Sequence, residues 1–407
     1  MKAISVYSHG TAEHALGHLR VCAPLQRAGV QVYWRQPAEG ISAQQIAESD
    51  LVIIQRDFPR DLTLYAQLVE QAERYEKPVI FEIDDLLWEL PPEHPDRIGN
   101  YYLAALWPML VAALKADAVT VTTPRLQAFM ENLGHSAVYL LPNYLDDALW
   151  ALQPPVVRDD GVVRVGYMGG DSHAPDIQMI LPALQKMLQA YPSKVQLTFW
   201  GLKPPEALLS HPDVAWEPLS VPDYVQFADN FSQQDLDIFL APLAESRFNQ
   251  AKSPVKFLEC TAIGGAGICS DIVPYQQVVE HGKTGYLADT VDAWFEHLKT
   301  LIENPRRRVQ MVQQAQENIQ RNWLLSAHYQ EWTETYQRII EQYRPRDTVD
   351  LYKAAEAIQT QWTAFYQMER ENSQREILAL KNQLASIQSG RAWKVAQFLR
   401  SLRGKFG

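Results

Sequence analysis

What most constrains this chain is an alternation, run through twice, of short stretches rich in β-branched residues with longer amphipathic ones. The first series places strand-like runs at residues 3–9, 30–35, 51–56, 79–84, 118–123 and 137–143, with helical patterns such as 16–28 and 62–75 between them. Parallel neighbours in a sheet need a crossover, usually a helix, so this rhythm predicts βαβ units in a doubly wound sheet. Residues 153–161, with Pro154, Pro155, Asp159, Asp160 and Gly161, interrupt it with turn-forming composition. A second series then runs through 163–170, 195–201, 214–219, 238–243, 266–271 and 284–289, with helices at 177–191 and 293–303. The expected fold class is α/β. It has two Rossmann-like doubly wound domains, residues 1–152 and 153–345, facing a cleft lined by the carboxyl ends of their strands, and a C-terminal helical extension.

A length of 407 residues, 47% of them hydrophobic, supplies a core for each half. The formal charge of −11 argues against a nucleic-acid partner, which requires a broad basic surface. Cys22, Cys260 and Cys269, odd in number and set in apolar runs, read as buried free thiols in a reducing compartment. The chain enters its first strand without a charged leader, and no stretch reaches the roughly 18 apolar residues of a membrane span. A cytoplasmic protein is expected, with membrane contact confined to its inner face.

After Pro345 the pattern changes. Leu351, Ala355, Ile358, Trp362 and Phe365, then Ile377, Leu380, Leu384 and Ile387, follow alternating steps of three and four, with a break at 369–376. Residues 346–388 therefore read as a long helix, either a coiled coil that forms a homodimer or a helix docked on its own body. The tail at 389–407 carries Arg391, Lys394, Arg400, Arg403 and Lys405, no acid, and apolar residues at helical spacing. It reads either as an amphipathic helix on an anionic membrane surface or as a solvated or packed tail.

The segment at 248–259, F-N-Q-A-K-S-P-V-K-F-L-E, carries the most chemistry. Pro254 suits the first turn of a helix, with Ser253 as its N-cap. Lys256 and Glu259, three apart, then share a face, and Lys252 stands just before the helix. A helix N-terminus flanked by two lysines suits a diphosphate, and a carboxylate one turn on can accept bonds from both ribose hydroxyls. In isolation such a pair is more often a surface ion pair. Here it is followed by a glycine turn, a buried strand at 266–271 and a Gly-Lys-Thr-Gly turn at 282–285.

At residues 256–259, 264–271 and 280–287 the chain resembles the donor-domain signature of family 4 glycosyltransferases of the GT-B fold, most strongly over 163–337. The resemblance implies that Lys256 contacts the diphosphate and Glu259 the ribose of a nucleoside diphosphate sugar. The family's sugar-contacting glutamate, eight positions before Glu259, falls here on Ala251. Asn249, Lys252 and Ser253 resemble a bacterial variant of the signature, N-x-x-K-S-x-x-K-x-x-E, in which Asn249 or Ser253 would substitute.

Three further segments complete the expected site. G-Y-M-G-G-D-S-H at 166–173 ends a strand and opens a helix, so Gly169, Gly170 and His173 are candidate donor contacts; a simple tight turn is the alternative. In the loop at 8–20, Gly10 lacks the G-x-G-x-x-G spacing of a dinucleotide fingerprint, and by resemblance Gly10 and Arg20 face the donor across the cleft. His9, His14 and His18 lack the H-E-x-x-H pattern or a neighbouring cysteine, so no metal site is expected there. Asp84 and Asp85, at the end of a strand, could orient or deprotonate an acceptor hydroxyl, or cap the next helix. They do not form a D-x-D motif, so no divalent ion is expected.

The predicted reaction moves a hexose-type sugar to an acceptor hydroxyl, on a glycan or a lipid-linked molecule, without a cofactor. Lys252, Lys256 and helix-terminal amides would stabilise the leaving group, with Asp84, Asp85 and Lys256 as the catalytic candidates. Retention of configuration follows by analogy alone. A non-catalytic homologue that binds sugar nucleotides or serves as an assembly module, and a sugar-nucleotide epimerase, are the alternatives.

Overall fold

The computed structural model describes residues 1–219 and 223–345 together with Arg375, Leu378 and Lys381. Those last three are helical and exposed; the long helix and basic tail expected after residue 345 otherwise lie outside the described residues. The described residues up to 345 form one compact unit.

Twelve strands form two six-stranded parallel sheets. The first contains β1 (Ala3–Tyr7), β2 (Gln31–Arg35), β3 (Leu51–Gln55), β4 (Val79–Ile83), β5 (Ala118–Val121) and β6 (Val138–Leu140), in the order β2-β1-β3-β4-β5-β6. The second contains β7 (Val163–Gly169), β8 (Val195–Gly201), β9 (Val214–Glu217), β10 (Ile238–Ala241), β11 (Ala266–Ser270) and β12 (Tyr286–Ala288), in the order β12-β11-β10-β7-β8-β9. All residues of β1, β3, β4 and β5 are buried, as parallel strands covered by helices on both faces must be.

The two sheets differ in winding. The second follows the 3-2-1-4-5-6 dinucleotide-binding order when its strands are counted from β7, whereas the first follows 2-1-3 at its start. Strand order reverses between β1 and β3 in one sheet and between β7 and β10 in the other. Ligands of open α/β sheets bind in the crevices at these reversal points.

One expected helix is broken. Residues 16–28 divide into Ala15–Gly17, a wide turn over His18–Cys22, and Ala23–Arg27. Pro24 has no N–H to offer the Arg20 carbonyl four residues back, and Trp332 Nε1 donates to that oxygen instead, at 2.8 Å.

The chain also returns to its beginning. Leu325, Trp332, Tyr336 and Ile339 pack in the same core as Ile4, Val6, Ile53 and Ile80. The helix Gln330–Gln342, which the sequence groups with the second domain, thus completes the first. Its outgoing and returning strands touch: Leu145 N donates to Trp323 O and Leu325 N to Leu145 O, each at 2.9 Å. Cys260 and Cys269 are buried and Cys22 is half-buried, all three as free thiols. Among the described residues, no helix is long and apolar enough to cross a membrane.

Candidate functional site

The reversal point of the second sheet brings together the end of β7 and the loop after β10. From there the helix Val255–Ala262 carries Lys256 and Glu259. Ser253 is not its cap: Pro254 occupies that position with no side-chain cap bond, and Ser253 Oγ instead accepts a hydrogen bond from Asn143 Nδ2 at 3.0 Å. The serine thereby ties the donor-side loop to the first half.

Lys256 and Glu259 are not a surface ion pair. Lys256 Nζ is closed off from solvent and has no hydrogen-bond partner, and it lies 5.1 Å from the centre of the Tyr167 ring. Burial lowers its pKa. Leaving a buried donor unsatisfied costs about 1–3 kcal/mol and more for a charged one, so an ammonium in this state marks a place for an anion. Glu259, 4% exposed, accepts a 2.5 Å hydrogen bond from the Tyr224 hydroxyl, which accepts one from Trp150 Nε1 at 3.1 Å. Burial pushes the Glu259 carboxyl up to about 7.

A cavity of about 210 Å³ opens in front of Lys256. His173, Lys252, Ser253 and Lys256 line it from the second half, and Leu16, Arg20, Asp84, Asp85 and Asn143 from the first. Seven of the residues singled out in the sequence therefore meet at one place: Arg20, Asp84, Asp85, His173, Lys252, Ser253 and Lys256. Gly10, Gly169, Gly170, Asn249 and Glu259 do not line this cavity. Gly10 is held to its own sheet, donating its N–H to Ser8 Oγ and accepting from Trp34 Nε1. Gly169 acts by omission, since a Cβ there would lie 2.4 Å from the Tyr167 hydroxyl oxygen.

The two aspartates divide. Asp84 does not cap a helix; both its oxygens accept from Arg56 Nη1, at 3.0 and 3.2 Å, and burial raises its pKa. Asp85 does not cap one either, since Leu86 holds that position ahead of the next short turn. It faces Lys252 Nζ at 3.5 Å, across the cleft. Burial opposes its ionisation, but Lys252 and Arg56 outweigh burial and hold the carboxyl below its usual range. Other cross-cleft bonds converge on the same short segment: Arg247 pairs with Glu89 at 2.8 Å, Arg125 donates to Gln250 at 2.8 Å, and Thr123 Oγ1 donates to the Ala251 carbonyl at 2.9 Å.

Arg20, expected to face the donor, is 1% exposed and bound on one side by Glu82 at 2.7 Å and on the other by the Leu141 carbonyl and Asn143. Its Nη2 has no partner. The histidines of the first loop separate: His18 Nε2 meets Asp146 at 2.8 Å, His14 Nδ1 accepts from Leu16 N, and His9 lies beside Phe58.

Sequence reasoning missed Asp176, Arg56 and Tyr224. Asp176 follows His173 by three positions in a helix start, a spacing that would have paired them. Nothing local marks Arg56 or Tyr224, whose partners Asp84 and Glu259 lie 28 and 35 positions away.

Residues 162–304 match the family model described as "Glycosyl transferases group 1". No curated protein matches the chain. Sucrose-phosphate synthase from Thermosynechococcus elongatus is a similar solved structure, with TM-score 0.60 and 14% identity over 84% of this chain and 100% of that one. HepE of Anabaena, solved in complex with UDP, has TM-score 0.56 and 14% identity over 83% of this chain and 100% of that one. A glycosyltransferase from Rickettsia africae has TM-score 0.56 and 11% identity over 84% and 99%. The chain has the GT-B architecture of these structures, and the match to the group 1 glycosyltransferase model lies within its second half.

Proposed function

We propose that the protein transfers a sugar from a nucleoside diphosphate sugar to an acceptor hydroxyl. The observation that carries this reading is the buried, unpartnered ammonium of Lys256 at the N-terminal turn of its helix, with Lys252 beside it in one cavity. That arrangement suits a diphosphate, whose charge grows as the sugar–phosphate bond breaks. The lysines and the helix amides meet that charge without calling on a divalent ion. HepE, whose structures include a complex with UDP-glucose, supports a nucleotide sugar as the donor. Glu259, in this reading, exchanges its bond from Tyr224 for bonds from ribose hydroxyls.

Retention of configuration rests on the family resemblance. The acceptor, a glycan or lipid-linked hydroxyl, enters on the first-half side, where Asp84 and Asp85 line the cavity and Asp84 is the one engaged by both its oxygens with Arg56. Contact of the tail with an anionic membrane and pairing of two chains through residues 346–388 belong to the same proposal. Sedimentation of the full chain and a 389–407 deletion with anionic vesicles tests the former; light scattering tests the latter.

Incubation with UDP-, ADP-, GDP- and dTDP-sugars decides the main reading. Release of nucleoside diphosphate, lost in Lys256→Ala, supports it. Tight binding without turnover would make the protein a sugar-nucleotide-binding module instead, and an isomerised donor would make it an epimerase.

A further inference from the structure

A second, smaller cavity adjoins the first, and His173 and Lys252 line both. Glu93 and His94 of the first half close one side, and Asp176 and Asn249 the other. Asp176 is 4% exposed, and its bonds fix its neighbours. Oδ1 accepts from Ala244 N at 2.7 Å and from Asn249 Nδ2 at 3.2 Å, while Oδ2 lies 2.7 Å from His173 Nδ1. Asn249 Nδ2 also donates to the Ala244 carbonyl at 2.8 Å.

A carboxylate that accepts on both oxygens places the ring hydrogen of its histidine on Nδ1, as in histidines oriented for metal ions or catalysis. In a neutral ring, Nε2 is then a lone-pair acceptor. Burial, with Lys256 and Lys252 nearby, lowers the His173 pKa to about 4, so the ring is neutral at physiological pH. Gly169 lets the ring take this place, since a Cβ there would lie 3.3 Å from His173 Cδ2. An acceptor lone pair repels phosphate oxygens and suits a hydroxyl. His173, a candidate donor contact in the sequence, is therefore ill suited by its hydrogen-bonding state to the phosphate part of a donor.

Ala251, where the family's sugar-contacting glutamate is absent, cannot fill that role through its backbone either. The residue is fully buried and its carbonyl is bound by Thr123. The donor site thus lacks a carboxylate acceptor at the position where the sugar is usually held.

We propose that His173 Nε2 accepts a hydrogen bond from a hydroxyl of the transferred sugar, with Asp176 and Asn249 as positioning residues that fix its tautomer. This rests on the donor-site reading above. The acceptor passes from the loop after β10 to the loop after β7, and the preferred donor carries a neutral hydroxyl-bearing sugar.

The test compares binding of the best of UDP, ADP, GDP and dTDP with binding of the matching nucleotide sugar, by calorimetry on the full chain. His173→Ala is expected to leave nucleoside diphosphate affinity within about threefold while lowering affinity for the intact sugar nucleotide, and kcat/KM, by about 10- to 100-fold. His173→Gln, whose amide oxygen can stand near Nε2, recovers part of this. Asp176→Asn reverses the bond at Nδ1 and moves the ring hydrogen to Nε2, so imidazole 15N shifts should report the exchanged tautomer together with the loss of sugar affinity. With a deoxy-sugar donor lacking the contacted hydroxyl, wild type and His173→Ala should bind alike. Equal loss of diphosphate and sugar-nucleotide binding in His173→Ala would make the ring a phosphate ligand and overturn the proposal. Unchanged binding of both, or an Nε2–H tautomer in the wild type, would overturn it as well. If no nucleoside diphosphate binds the wild type, the donor-site reading falls first and carries this inference with it.

Discussion

The two halves share a strand count and a parallel topology, but the buried charges around the cleft are met differently in each. In the first, Arg20 is matched to Glu82, Arg56 to Asp84, and His18 and Arg27 to Asp146. In the second, Lys256 has no partner, Glu259 is driven toward neutrality, and His173 is held uncharged. Buried ions that are paired hold a fold in one arrangement, whereas those left unpaired in a folded chain indicate where a ligand supplies the missing charge or hydrogen bond. On the proposed function, this difference makes the first half the frame of the cleft and the second its receptor.

The largest test of that contrast is Arg20→Met. It strands Glu82 at full burial and should cost about 3–5 kcal/mol in urea unfolding, with most of the loss recovered when Glu82→Met is added. A loss below about 1 kcal/mol would mean that the paired half is not held by its pairs.

Next is Glu259→Gln. The folded carboxyl titrates near 7 against 4.5 for the ordinary group, so the folded chain keeps a proton that the unfolded chain releases. Wild-type stability therefore falls as pH rises between about 4.5 and 7, by up to roughly 3 kcal/mol at 1.36 kcal/mol per pKa unit. The glutamine variant escapes that fall. Its melting temperature should exceed the wild type's at pH 8 and converge with it below about pH 4.5, while its nucleotide affinity drops. A variant less stable at pH 8 would show that the ionised carboxylate is well solvated and that the two halves are less different than their partners suggest.

Lys256→Met should likewise leave the unliganded chain as stable as before or slightly more so. Nucleoside diphosphate affinity should weaken by about 1.5–3 kcal/mol, the range for a hydrogen bond to a charged group. Loss of stability in place of affinity would move Lys256 to the frame. The smallest effect is expected for Asp85→Asn, which removes a partly exposed pair and should change stability by no more than about 1 kcal/mol. It frees Lys252, so diphosphate affinity should rise a few-fold. A hundredfold fall in turnover at unchanged donor affinity would instead identify Asp85 as the base toward the acceptor.

Much of this arrangement was legible in residue patterns, because alternation and turn composition are local. All twelve strands lie where the β-branched runs place them; β8 matches end to end and the other eleven are trimmed by one to three residues at an end. The convergence of Lys252 and Lys256 on one cavity was suggested by helix-start chemistry together with the glycine turn and buried strand that follow it. What escaped was set by distant partners. Pro24 foretells a disturbed helix, but not that Trp332, 312 positions from Arg20, takes the freed carbonyl. Ser253 has a capping residue's chemistry, yet Asn143 claims its hydroxyl. The strand order of each sheet depends on which crossover passes over which neighbour, and helical periodicity carries no record of that. The return of 330–342 to the first core was hidden because an amphipathic helix announces a buried face without naming what buries it.

The paired crossing at Leu145 and Leu324 has a mechanical consequence. A single tether would let the receptor half swivel and slide against its frame in any direction. Two segments side by side, laced by backbone hydrogen bonds, resist twisting and sliding more than a single tether would, so the motion they oppose least is a swing that widens or narrows the cleft's mouth. Asn143, two residues before the crossing at Leu145, reaches Ser253 in the cavity wall, so that swing and the shape of the cavity are joined through a single side chain.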